Sequence, residues 1–130
     1  MAWGAITTTD ARTLTGTMQT LQISSVDVEI ELNPGERAQV QIEFNPQATP
    51  TEHCEWQILA TPDGTNYDQT PLYVGTIDKD LADPNSVSVV VEGVWGFIVQ
   101  ARVVDPNGAA GGTDTTSTAL ARIRKDGVSL

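Results

Sequence analysis

His53 and Cys54 are the only histidine and the only cysteine of the chain, and they are neighbours. A thiol beside an imidazole could be a nucleophile and its base. Successive residues of a strand point to opposite faces, however, so these two side chains should diverge. A zinc centre needs three or four ligands at set spacings, and no second Cys or His exists to complete one. The expected roles are a loop histidine and a buried strand cysteine. Gly-x-Ser-x-Gly is absent, so serine catalysis has no frame either. Asp27, Glu29 and Glu31 alternate with Val26, Val28, Ile30 and Leu32. Carboxylates do acid–base work when burial splits their pKa values. These three should instead share a solvated face that discourages edge-to-edge association. Asp78, Asp80 and Asp83 put three oxygen donors of a kind calcium accepts into one loop, without the glycine and closing glutamate of an EF-hand. They read as a plain acidic loop. The run Gly108 to Gly112 lacks the Lys-Ser/Thr ending of a phosphate loop and reads as a flexible connection. No catalytic residue, metal or cofactor is therefore expected, and the chain reads as non-enzymatic.

The residues left are ones that bind. Trp56 and Trp95 stand in phase with core positions and are expected inside, whereas Trp3 lies outside that phase. Arg122, Arg124 and Lys125 are three of the seven basic residues and fall within the last nine positions. They read either as solvated cations at a strand end or as an inter-subunit contact with the acidic face of another copy.

The elements that must position these residues are strands. Val26 to Leu32 and Ala38 to Phe44 alternate apolar and polar side chains on either side of Asn33-Pro34-Gly35-Glu36. Pro and Gly at the two central positions predict a type II turn, and the two runs predict a hairpin. Cys54, Trp56, Ile58 and Ala60 mark a third strand, and a shorter one follows from Leu72 to Ile77. Val87, Val89 and Val91 mark another. Trp95, Phe97, Val99, Ala101 and Val103 form the strongest, and Ala119, Ala121 and Ile123 the last. About seven strands and no amphipathic helix predict an all-β, antiparallel two-sheet sandwich over residues 26–130. Residues 1–25 keep no phase with it, and the period breaks at Ser24-Ser25. This segment is either an extra edge strand or an extended N-terminal arm. As an arm it would present Trp3, Ile6, Met18 and Leu21 to a partner, and deleting residues 1–20 would leave a folded protein.

Composition bounds the rest. The chain has 130 residues, enough for one domain with its own core. Seventeen acidic against seven basic residues, a net charge of −10, argue against nucleic acid or an anionic membrane as partner. The start, MAWGAITTTDART, lacks the charged and apolar regions of a signal peptide, so cytoplasmic synthesis is expected. The longest nearly apolar run, Val94 to Val99, is far short of the roughly 20 residues of a membrane helix.

Val26 to Arg124 resembles an immunoglobulin-like or fibronectin type III-like sandwich. Trp56 stands in its third strand, and Trp95-Gly-Phe-Ile-Val-Gln-Ala-Arg-Val looks like its F strand. The immunoglobulin disulfide is missing, and Trp95 and Phe97 stand where a tyrosine corner would be. The segments ATPDGTNYDQTPLYVGTI and ARIRKDGVSL are similar to small structural proteins of tailed bacteriophages. That resemblance implies a virion location and a decoration or cement role on the outer shell of a capsid. It implies as partners the major capsid protein or neighbouring virion subunits, in a homo-oligomer such as a trimer or hexamer. A tail or head–tail connector subunit and an immunoglobulin-like carbohydrate- or ligand-binding module are the alternatives.

Overall fold

A computed structural model describes residues 2–80, 85–109 and 111–127, with the side chains of Ala2 and Trp3 left aside. The described residues hold no helix and twelve strands. The N-terminal segment contributes β1 (Ala2–Thr8), β2 (Arg12–Thr13), β3 (Gln19–Thr20) and β4 (Gln22–Ile23). Then come β5 (Val26–Asp27), β6 (Glu29–Glu31), β7 (Arg37–Asn45) and β8 (His53–Thr61). The last four are β9 (Tyr73–Ile77), β10 (Asn85–Glu92), β11 (Gly96–Val104) and β12 (Thr118–Gly127). One sheet has the order β1-β12-β7-β10, with β2 also on β12. The second has the order β3-β11-β8-β9, with β6 also on β11. β4 and β5 form a separate pair, and all pairings are antiparallel.

Period-2 alternation builds the core between the two main sheets, in a sandwich-like arrangement. Val40, Ile42 and Phe44 of β7 and Ala119, Ala121 and Ile123 of β12 face it from one sheet. Cys54, Trp56 and Ile58 of β8 and Phe97, Val99, Ala101 and Val103 of β11 face it from the other. The Trp56 indole lies so close over the backbone of Gly75 that a methyl group there would come within 2.6 Å of the ring.

Four sequence expectations need correction. The Asn33–Glu36 turn forms, with Gly35 at a φ of 83° and Glu36 N–H donating to the Asn33 carbonyl at 2.9 Å. It does not close a hairpin: β6 pairs with β11 and β7 with β10 and β12, so the turn crosses between sheets. Alternation identifies a half-buried strand without naming its neighbour. Val26 is also not core. It is 66% exposed, because β5 pairs only with β4 through a two-residue turn at Ser24 and Ser25, both at positive φ. That turn is the cause of the period break.

The N-terminal segment is built into the domain. β1 pairs with β12 as an edge strand, and Leu14 and Leu21 are core residues, each 1% exposed. Leu21 N–H donates to the Val99 carbonyl and Leu14 N–H to the Ser117 carbonyl, both at 2.9 Å. Of the two readings of residues 1–25, the edge strand describes them. Deleting residues 1–20 would take Leu14 out of the core and β1 off β12, so loss of folding becomes the expected outcome.

The end of the glycine run, Gly111 and Gly112, is packed rather than loose, whereas Gly108 is exposed. Glu52 and Asp114, both buried, clasp each other's backbone. Glu52 N–H donates to Asp114 Oδ2 at 3.0 Å, and Asp114 N–H donates to Glu52 Oε1 at 2.7 Å. Gly112 N–H and Thr51 N–H add further bonds to the two carboxylates. Gly111 sits where a Cβ would lie 1.9 Å from Glu52 Oε2, so only glycine fits against this clasp.

Candidate functional site

His53 and Cys54 diverge as strand geometry requires. Cys54 is buried in the core, and burial, with the charge of Glu55 adding to it, pushes its thiol up to about 12. His53 Nδ1 accepts the Lys79 N–H at 3.0 Å, which puts the neutral ring's proton on Nε2. No nucleophile–base pair results. In the acidic loop, Asp78 Oδ1 accepts the Asp80 N–H at 2.7 Å and Lys79 Nζ lies 3.0 Å from Asp80. Asp83 lies outside the described residues. Among those described, no three Asp, Glu, His or Cys residues gather as metal ligands.

The basic residues near the end of the chain lie on β12. Arg122 donates to Glu43 at 2.9 Å and to Gln41 at 3.1 Å across the β12–β7 ladder. The Asn45 amide and the Arg122 guanidinium together hold the Glu43 carboxyl below its ordinary range. Lys125 donates to the Glu31 carbonyl at 3.1 Å and lies 3.9 Å from Glu36. These two cations are engaged within their own chain, Arg122 by acceptors on its paired strand β7 and Lys125 by Glu31 and Glu36, which flank the turn that crosses between the sheets. Arg124 differs: its Nε is buried without a hydrogen-bond partner among the described residues. It lines a shallow groove of about 180 Å³ on the outer face of the first sheet, with Ile6, Gln39, Gln41, Ser88 and Arg122.

Of the residues expected to meet a partner, Ile6 is 50% exposed on β1, and Met18 is half-buried. Leu21 is removed from this set by its burial. Trp3 pairs through its backbone with Asp126, and its side chain lies outside the described residues.

Two surfaces escape sequence reading. Trp95 continues the alternating phase of β11 but is 37% exposed, contrary to expectation. It precedes the strand, on the turn between β10 and β11, where phase no longer governs direction. Its ring packs over Gly64 and forms the wall between two clefts. One, of about 300 Å³, is lined by Ala60, Thr61, Pro62, Asp68, Gly93 and Val94. The other, of about 290 Å³, is lined by Leu32 and residues 33–36. Nearby, Tyr67 donates its hydroxyl to Glu29. The second surface is the side where β9 and β10 end their sheets. Leu72, Tyr73, Val74 and Val90 are exposed there by 38–61%. The Tyr73 hydroxyl bridges the two sheets by donating to the Val90 carbonyl at 2.8 Å.

Compared with protein-family models, curated proteins and solved structures, the chain matches none. A pair of free, apolar sheet edges can dock another protein, and an exposed tryptophan between clefts can hold a ligand.

Proposed function

We propose that this chain is a non-enzymatic virion structural protein of the decoration or cement type, binding the outer shell of a capsid and stabilising it. The observation that carries the reading is the β9–β10 side. Four of the seven large apolar side chains exposed among the described residues lie along these two edge strands or just before them: Leu72, Tyr73 and Val74 on one sheet and Val90 on the other. An apolar patch on a sheet edge marks an interaction surface. Burying it against the major capsid protein or a neighbouring subunit favours binding by about 25 cal/mol per Å², before ordering costs. Repetition in a homo-oligomer, a trimer or hexamer, multiplies the contact. The virion setting itself is suggested by the resemblance read in the sequence of residues 60–77 and 121–130.

Within the sandwich class, we read the layout as a variant of the immunoglobulin-like arrangement. The neighbours β7–β10 and β11–β8 correspond to its B–E and F–C pairs, with β9 beside β8. The last strand, β12, lies beside β7 instead of beside β11. The place beside β11 is taken instead by the short strands β3 and β6.

The test is copy number, by quantitative mass spectrometry of purified particles and of tailless heads. Hundreds of copies on heads are expected. A dozen or fewer would assign a connector or tail subunit instead. No copies would remove the virion reading and leave the Trp95 clefts, with Asp68 and Asn33 as hydrogen-bonding neighbours, as the site of a carbohydrate- or ligand-binding module.

A further inference from the structure

Resting on the assembly reading above, we propose that the first sheet continues from copy to copy, with β1 of one molecule adding beside β10 of the next. The partner is a second copy of this chain, and the contact is head-to-tail.

Strand direction permits it. β1 is antiparallel to β12, β12 to β7 and β7 to β10. Three reversals make β1 and β10 antiparallel to each other, so a copy carried sideways without turning over meets its neighbour in antiparallel register. The ladders then say which residues meet. Ile6 stands opposite Arg124, Arg124 opposite Gln39, and Gln39 opposite Val90. Thr7, Ile123, Val40 and Val89 form the next row, and Thr8, Arg122, Gln41 and Ser88 the row after. Continuing each row into the next copy puts Ile6 against Val90, Thr7 against Val89 and Thr8 against Ser88. Apolar meets apolar on the outer face, and hydroxyl meets hydroxyl, which are favourable cross-strand pairs. Ile6 and Val90, 50% and 41% exposed, are the large apolar side chains exposed at the two ends of one row.

Charge points the same way. In a chain of net charge −10, β1 carries no charged residue and β10 carries one, Glu92, at its end. Edge strands that must stay single are guarded by charge or proline. The second sheet has that guard at one end, where β6 presents Glu29 and Glu31. In the first sheet the charges, Arg12 on β2 and Glu92 at the end of β10, lie outside the rows of Ile6, Thr7 and Thr8 and of Val90, Val89 and Ser88, so the stretches that would pair are open at both ends. The Tyr73 hydroxyl on the Val90 carbonyl covers one acceptor of the β10 edge, and pairing exchanges that bond for a backbone one. A heterologous contact of this kind closes into a ring when the rotation between copies allows, and grows into a filament otherwise.

The test is sedimentation velocity of the purified full chain over a concentration series, with Ile6→Lys and Val90→Lys. Both positions face solvent, and circular dichroism melts check that the variants fold. If V90K melts early, Ser88→Lys on the same edge replaces it. Wild type is expected to form oligomers that grow with concentration. Each variant alone should lose about tenfold or more in affinity. An equimolar mixture should form a heterodimer and stop there, because the intact β10 of I6K can pair with the intact β1 of V90K. Wild type that stays monomeric, a variant that associates alone like wild type, or a mixture that stays monomeric would each overturn the proposal. The assay needs no particle, so rings in solution with no copies on virions would keep this contact and remove the virion role.

Discussion

Asp63 is fully exposed, yet its carboxyl is held down to about 2 from the ordinary 3.8. The cause is local. Its Oδ1 accepts the Asn66 and Thr65 N–H groups, both at 2.8 Å, and the Asn66 side-chain amide donates to Oδ2. A folded pKa below the unfolded one gives stability that is present above pH 3.8 and lost as pH falls through about 2. An NMR titration of the Asp63 carboxyl should therefore have its midpoint near 2, with the Thr65 and Asn66 amides losing protection in the same range. A midpoint near 3.8 would show that the turn does not bind the ionised form. Pro62-Asp63-Gly64-Thr65-Asn66 announces this turn in the sequence, because each bond lies within three residues. Glu52 and Asp114 announce nothing, since their clasp joins positions 62 apart.

Among the elements, the N-terminal segment decides most. β1 lies on β12 and Leu14 is part of the core, so the N-terminal segment is packed into the sandwich. Leu14→Ala should destabilise the domain by about 2–5 kcal/mol, the cost of a buried leucine with its cavity, read by urea unfolding. A loss below about 0.5 kcal/mol would return the segment to the status of a loose arm. Individual strands were legible because burial has period 2, as at Ala38, Val40, Ile42 and Phe44, all 0% exposed. The partner of a strand was not. β6 and β7 look like a hairpin in sequence, and only packing against β11 on one side and β12 on the other separates them.

For the whole molecule, net charge opposes the contact that its sheet edges favour. Copies carrying −10 repel one another, while the β1 and β10 edges are almost free of charge. Salt screens the repulsion over about 10 Å at 0.1 M and leaves the edge pairing largely untouched. Self-association should therefore strengthen as sodium chloride rises from 0.02 to 0.5 M (on the order of one Debye length falling from above 20 Å to below 5 Å). Weakening over that range would mean that ion pairs such as a free Arg124 hold the copies together.

The sequence alone determined the all-β class, the inward faces of β7, β8, β11 and β12, and the divergence of His53 and Cys54. Each depends on residue type and short spacing, where backbone geometry leaves little choice. Tertiary structure decided which sheet receives each strand, that Leu14 and Leu21 are core, that Trp95 is a surface wall and that Arg122 is engaged by Glu43. These depend on contacts between residues far apart in the chain, whose free energies compare whole arrangements. It also decided that Ile6 and Val90 end one row of the same sheet, a relation between positions 84 apart that no local pattern encodes.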